Sequence, residues 1–234
     1  MKKLTTLLLL FSSIISFSQE ITGKELLDKA IQFHDPNNNW VTFKGELLVT
    51  METPKNAPRK SEIKINLPKE YFSVTAKRDK IITNFTLSKN EFKTGFNGDE
   101  NPPEEIKKKY NLNKERANLY KNYYTYLYGL PMKLKDDGTI IHQKVEKGNF
   151  KGKEYLILKV TYNKEIGKDT WYFYFNPKTY AMEVYQFFKE AKDSGEYILL
   201  SGLDIINGVK MPKKRVWYYN KDDKYLGTDI LSTN

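Results

Sequence analysis

The chain contains no cysteine and only two histidines, His34 and His142. Without cysteine there is no disulfide, no thiolate nucleophile and no mature N-terminal cysteine to carry a lipid after export. Two histidines exclude a multi-histidine metal centre, so zinc would need a carboxylate-rich set. Asp136-Asp137-Gly138 and Asp222-Asp223 lack the alternating ligands and distal glutamate of a calcium loop, and read as turns. Glu104-Glu105 reads as first-turn charge at a helix start. His34 beside Asp35 reads as a cationic group at a helix terminus, with a metal or acid-base role, including hydrolysis, as the sharper alternative. The chain also has no G-x-S-x-G elbow, phosphate loop or dinucleotide fingerprint. No enzymatic activity, cofactor or metal is expected.

What is present begins with an export signal. Lys2 and Lys3 precede the apolar residues 4–15, and Ser16-Phe17-Ser18 supplies small residues for cleavage, so the mature chain is expected to start at Gln19. The apolar run is shorter than the ~20 residues a membrane span needs. Residues 1–18 are thus read as a signal peptide and 19–234 as one domain, soluble and periplasmic after export, with secretion as second choice. Loss of Lys2 and Lys3 lowers the formal charge from +10 to +8. The lysines are spread along the chain, which argues against nucleic acid and for a solvated surface. Attraction to an anionic membrane surface or to envelope proteins is the alternative.

Residues 21–33 carry Leu26, Leu27, Ala30, Ile31 and Phe33 at helical spacing, opened by a Thr22/Glu25 capping box. His34-Asp35-Pro36 and the asparagines after it end that helix. From Trp40 the apolar period becomes two, predicting a strand through residue 52. Further strands are expected over 63–67, 71–77, 81–87 and 91–96, then helices over 104–110 and 113–128 closed by Gly129 and Pro131. Strands resume over 140–146, 154–162, 169–175, 181–189, 197–206, 210–219 and 225–231, joined by short turns such as Asn207-Gly208. Short links imply an antiparallel meander, and about ten or more strands in one sheet should curl. The fold expected is mainly β with an α lid. It is an unclosed antiparallel β-barrel covered by the N-terminal helix and the mid-chain helical pair.

The aromatic helix over 122–134 is the candidate functional element. Trp171, Phe173 and Phe175 share one face of their strand, Tyr172 and Tyr174 the other. The bland reading is sheet core with half-buried tyrosines. The sharper one places Trp171, Phe173 and Phe175 in a cavity beneath lid residues Leu119, Tyr123, Tyr126, Leu127, Leu130 and Met132, with Gly129-Leu130-Pro131 as hinge. Burying a 16-carbon acyl chain would yield about 12 kcal/mol gross at ~0.8 kcal/mol per methylene. Micromolar binding needs only about 8 kcal/mol net. A binding or carrier protein for a lipid, an acylated protein or another apolar ligand is the reading that follows. A non-enzymatic envelope structural or interaction protein, its barrel filled by the helix, is the alternative.

Several local features carry a resemblance. Gly45 lies in the strand after Trp40, Tyr172-Phe173-Tyr174-Phe175-Asn176-Pro177-Lys178-Thr179-Tyr180 runs strand, Asn-Pro-x-Thr, strand, and Asn207-Gly208-Val209-Lys210-Met211-Pro212 forms a late hairpin. With the element order of nearly the whole mature chain, these resemble the LolA/LolB lipoprotein-carrier superfamily. More narrowly, His34-Asp35-Pro36, Trp40 and residues 122–134 resemble a Bacteroidota family of unknown function with that fold. The resemblance implies an unclosed antiparallel barrel with inserted lid helices and lipoprotein transport. None of Arg59, Arg78 and Arg116 aligns with the lid-latching arginine of those carriers.

Overall fold

The computed structural model describes residues 20–89, 91–190 and 193–232; the signal segment lies outside them. Helix α1 (Gly23–His34) opens with the expected capping box: the Glu25 N–H donates to Thr22 Oγ1 and the Thr22 N–H to Glu25 Oε2. After it come strands β1 (Lys44–Thr53), β2 (Asn56–Asn66), β3 (Tyr71–Arg78), β4 (Ile81–Ser88) and β5 (Glu91–Phe96). Helices α2 (Glu104–Tyr110) and α3 (Lys114–Gly129) interrupt the strands. The chain then forms β6 (Thr139–Phe150), β7 (Lys153–Tyr162), β8 (Thr170–Phe175) and β9 (Met182–Phe188). It finishes with β10 (Glu196–Ile206), β11 (Val209–Tyr219) and β12 (Tyr225–Ser232).

All twelve strands join one antiparallel sheet in the order β5-β4-β3-β2-β1-β12-β11-β10-β9-β8-β7-β6. β5 and β6 are its edges, so the barrel is not closed. The chain meanders throughout except where β1 pairs with β12. Curling is visible in the contacts of α1, which touches both β6 and β11 although four strands separate them in the sheet. Strand twist accumulated over so many strands produces this concave form. Leu47, Val49, Ile63, Phe72, Val74 and Phe85 fill the concave side of one half, and Leu158, Phe173, Phe175, Tyr185 and Ile198 that of the other. A smaller cluster of Tyr155, Tyr174 and Val184 packs on the convex side, covered in part by Phe150.

Three local differences from the sequence reading have physical causes. β2 begins at Asn56, well before residue 63, because its first half turns Arg59 and Ser61 inward and shows no apolar alternation. β6 runs on to Phe150, where Lys151 and Gly152, both at positive φ, make a two-residue turn into β7. Trp40 lies in a 3₁₀ turn (Asn39–Thr42), not in a strand. Asp35 sets that turn by accepting the N–H groups of Asn39 at 2.7 Å and Trp40 at 2.8 Å.

His34 is a correction. It is fully buried and neutral, joining α1 to the starts of β9 and β11. Its Nδ1 donates to the Lys210 carbonyl at 2.8 Å, and its Nε2 accepts the Met182 N–H at 3.0 Å. Burial, aided by the charges of Lys210 and Arg215, pushes its pKa down to about 4.

Candidate functional site

Helix α3 lies against β3 and β4 on the concave side of the sheet. Asn113 caps it, accepting the Arg116 N–H at 2.8 Å. It buries Ala117, Tyr124, Leu127 and Tyr128, and so presents a mixed apolar and phenolic face to the sheet. At its far end Gly129 is required by close approach: a Cβ there would come within 2.3 Å of the Trp40 ring. Gly129 is thus demanded by close packing and has no positive φ.

Polar groups fasten the helix along its length. Arg59 on β2 donates to Tyr124 Oη at 3.2 Å and to Tyr120 Oη at 3.5 Å. Tyr123 donates to Asp229 on β12 at 2.8 Å, and Tyr126 shares a 2.6 Å hydrogen bond with Tyr162 on β7. Arg215 on β11, fully buried, donates to the Leu127 carbonyl at 3.1 Å and to the Pro212 carbonyl at 3.0 Å. Its guanidinium stands 4.0 Å from the Tyr128 ring centroid. A buried cation held by carbonyls and an aromatic face avoids part of its desolvation cost. Burial pushes the Asp229 carboxyl up, against the Tyr123 hydrogen bond and the charges of Arg215 and Arg59.

Two clefts flank the helix and meet at Tyr123. One, about 490 Å³, is lined by Tyr123, Tyr126, Tyr162, Trp171, Ile166 and Lys133 among others. The other, about 260 Å³, is lined by Met51, Tyr123, Trp217, Leu226, Asp229 and Glu196 among others. Tyr123 stacks on Trp217 with centroids 6.3 Å apart, and Tyr126 meets the edge of Trp171 at 5.9 Å. Directly beneath the helix the space is occupied by Tyr124, Tyr128, Tyr185 and Arg215, each 0% exposed. A third cleft, about 790 Å³, lies beside β5 and α2, among polar groups such as Asn84, Thr94, Asp99 and Lys107.

Of the residues singled out in the sequence, Tyr123, Tyr126 and Trp171 come together on the larger flanking cleft. Leu127, Leu130, Met132, Phe173 and Phe175 are buried in the core, and Leu119 is 61% exposed. Leu119, Leu127, Leu130, Met132, Phe173 and Phe175 line neither flanking cleft. Met51, Arg59, Arg215, Trp217 and Asp229 were not anticipated. Their signal was the period-two register: Arg215 falls in step with Trp217, and Arg59 with Ile63, on the inward face.

No curated protein matches the chain. The model of a family of unknown function, DUF6503, matches residues 2–234. Among solved structures the chain is similar to a LolA superfamily protein from Nitrosomonas europaea, at 11% identity and a TM-score of 0.49, over 91% of this chain and 92% of that one. A DUF1329 family protein from Desulfovibrio piger ATCC 29098 gives 10% identity and a TM-score of 0.49, over 91% and 92%. An outer membrane lipoprotein-sorting protein domain from Vibrio parahaemolyticus gives 8% identity and a TM-score of 0.49, over 90% and 92%.

Proposed function

We propose that this chain, which belongs to that family of unknown function, is a non-enzymatic carrier or binding protein for a lipid, an acylated protein or another apolar ligand. One observation carries the reading: an aromatic helix rests on a concave sheet, and beside it run two aromatic-lined clefts that share Tyr123. The larger, at about 490 Å³, falls within the roughly 300–1,000 Å³ of small-molecule sites. The polar ties of α3 suit a lid, because each hydrogen bond contributes only about 1 kcal/mol net and water can replace it when the helix lifts. Tyrosine hydroxyls at the cleft margins tolerate a wet rim around an apolar chain.

The signal-like first 18 residues support export and a periplasmic site of action, with secretion as second choice. Among the described residues no helix is long and apolar enough to cross a membrane.

The test is to purify the mature protein natively from its source compartment, denature it and identify released small molecules by mass spectrometry. A lipid or acylated species at about one per chain is expected. A blank that persists after incubation with total envelope lipid would overturn the carrier reading. That result would favour the second reading, an envelope structural or interaction protein. The observation on its side is the filled space under α3, where Tyr124, Tyr128 and Tyr185 are 0% exposed.

A further inference from the structure

Around the first turns of α3 arginines gather without forming an ion pair, although Glu115 stands in the first turn and the buried Asp229 feels the charge of Arg59. Arg59 Nη1 and Arg116 Nη2 both donate to one neutral hydroxyl, Tyr120 Oη, at 3.5 and 3.4 Å. Both guanidinium groups also lie on the Tyr120 ring, 5.5 and 4.9 Å from its centroid. The pairing of Lys60 with Lys77 brings Arg78, one step along, beside Arg59 on the same inward face. Buried Nε atoms of both Arg59 and Arg78 have no hydrogen-bond partner. Among the described residues every ion pair is made by a lysine, and none of these arginines lies within 4.0 Å of a carboxylate.

A tie that only had to hold the helix down would be served by one arginine and one carboxylate. Three convergent arginines repel one another, and their unspent forked donors match an oxyanion, which a guanidinium binds with two parallel hydrogen bonds. The neighbouring cleft gives such an anion an apolar tail. Met51, the cross-strand partner of Arg59, lines that cleft with Tyr123, Trp217 and Leu226. Asp229 and Glu196 also line it; Asp229 is the other cross-strand partner of Met51, and its carboxyl is buried, accepts the Tyr123 hydroxyl and is pushed up towards its neutral form by burial.

Resting on the carrier reading above, we infer that Arg59, Arg116 and Arg78 receive the oxyanion head group, phosphate or carboxylate, of an amphiphile whose chain lies along Met51, Tyr123, Trp217 and Leu226. The ligand is an anionic amphiphile, not a neutral one.

Titration calorimetry with three probes tests this on the mature chain: dodecyl phosphate below its micelle concentration, uncharged monolauroylglycerol with the same chain length, and inorganic phosphate. The wild type should bind dodecyl phosphate roughly tenfold or more tightly than monolauroylglycerol, as expected of charge-assisted hydrogen bonds. Arg59→Gln/Arg116→Gln should lose that preference while still binding monolauroylglycerol; Lys108→Gln/Lys114→Gln, with the same charge change, should keep it. Should the double arginine variant not fold, Arg116→Gln alone, at an exposed side chain, should reduce the preference. Equal affinity of the wild type for both amphiphiles, or a preference that survives loss of both arginines, would overturn the inference and leave the carrier reading standing. Inorganic phosphate binding as tightly as dodecyl phosphate would assign the site to the free anion and overturn the lipid assignment. Binding of neither amphiphile would overturn the carrier reading, and this inference with it.

Discussion

Two polar clusters in this molecule are built on opposite terms. At the corner of α1, both ring nitrogens of His34 and both carboxylate oxygens of Asp35 have partners, all of them backbone groups. Under α3, the Nε atoms of Arg59 and Arg215 and the hydroxyl of Tyr128 are buried without one. The first cluster holds the fold together. Unmet hydrogen-bonding capacity costs free energy in the second, and on the carrier reading proposed above a ligand would answer part of it. Substitutions should accordingly hurt folding at the corner and ligand handling under the helix.

The largest effect is expected from His34→Ala, which strands the Lys210 carbonyl and the Met182 N–H and leaves a void. A loss of about 4 kcal/mol follows from about 1–3 kcal/mol per unsatisfied buried group. Urea unfolding monitored by circular dichroism measures it. A loss under about 1 kcal/mol would break the comparison.

Next comes pH. Folded His34 has its pKa at about 4, against 6.5 for the free side chain. As pH falls, the unfolded chain takes up the proton first, so the contribution of His34 is complete above about pH 6.5 and is lost as pH drops toward 4. That separation corresponds to about 3 kcal/mol at 1.36 kcal/mol per pKa unit. Unfolding midpoints at pH 7.5 and 4.5 should therefore differ more in the wild type than in His34→Asn, which has no proton to bind there.

Gly129→Ala should cost about 1–3 kcal/mol, since its methyl group would meet the Trp40 ring in a packed core. A shift in tryptophan emission should accompany the lower melting temperature. Tyr123→Phe removes one hydrogen bond from a buried carboxyl and should cost about 1–2 kcal/mol. Hydrogen exchange in α3 should rise, because the helix loses a tie to β12. Arg116→Gln should change stability by less than about 0.5 kcal/mol, as exposed substitutions do. A melting curve matching the wild type, with altered binding of an anionic amphiphile, would sharpen the contrast between the two clusters.

Much of this architecture was legible in residue order. Alternation located the apolar half of β2, the first half of β6 and nearly all of every other strand, and Thr22 with Glu25 marked the start of α1. Asn207-Gly208, at φ 49° and 83°, is the tight turn its dipeptide announces. Reading failed where the inward face is polar, as at Arg59 and Ser61, because a search for buried strands follows apolar residues. His34 was misjudged for a related reason. A histidine at a helix end has a local explanation, while its partners Met182 and Lys210 lie 148 and 176 residues away.

Local chemistry thus settled what the sequence could state alone: period, caps and turns depend on neighbours within a few residues. Tertiary structure decided which polar groups meet. Arg59 reaches Tyr120 and Tyr124 across 61 and 65 residues, and Arg215 reaches Leu127 across 88. Such pairs exist only once the sheet has curled and α3 has settled on it. Burial then makes them consequential, because a charge removed from water interacts strongly with whatever the fold has placed beside it.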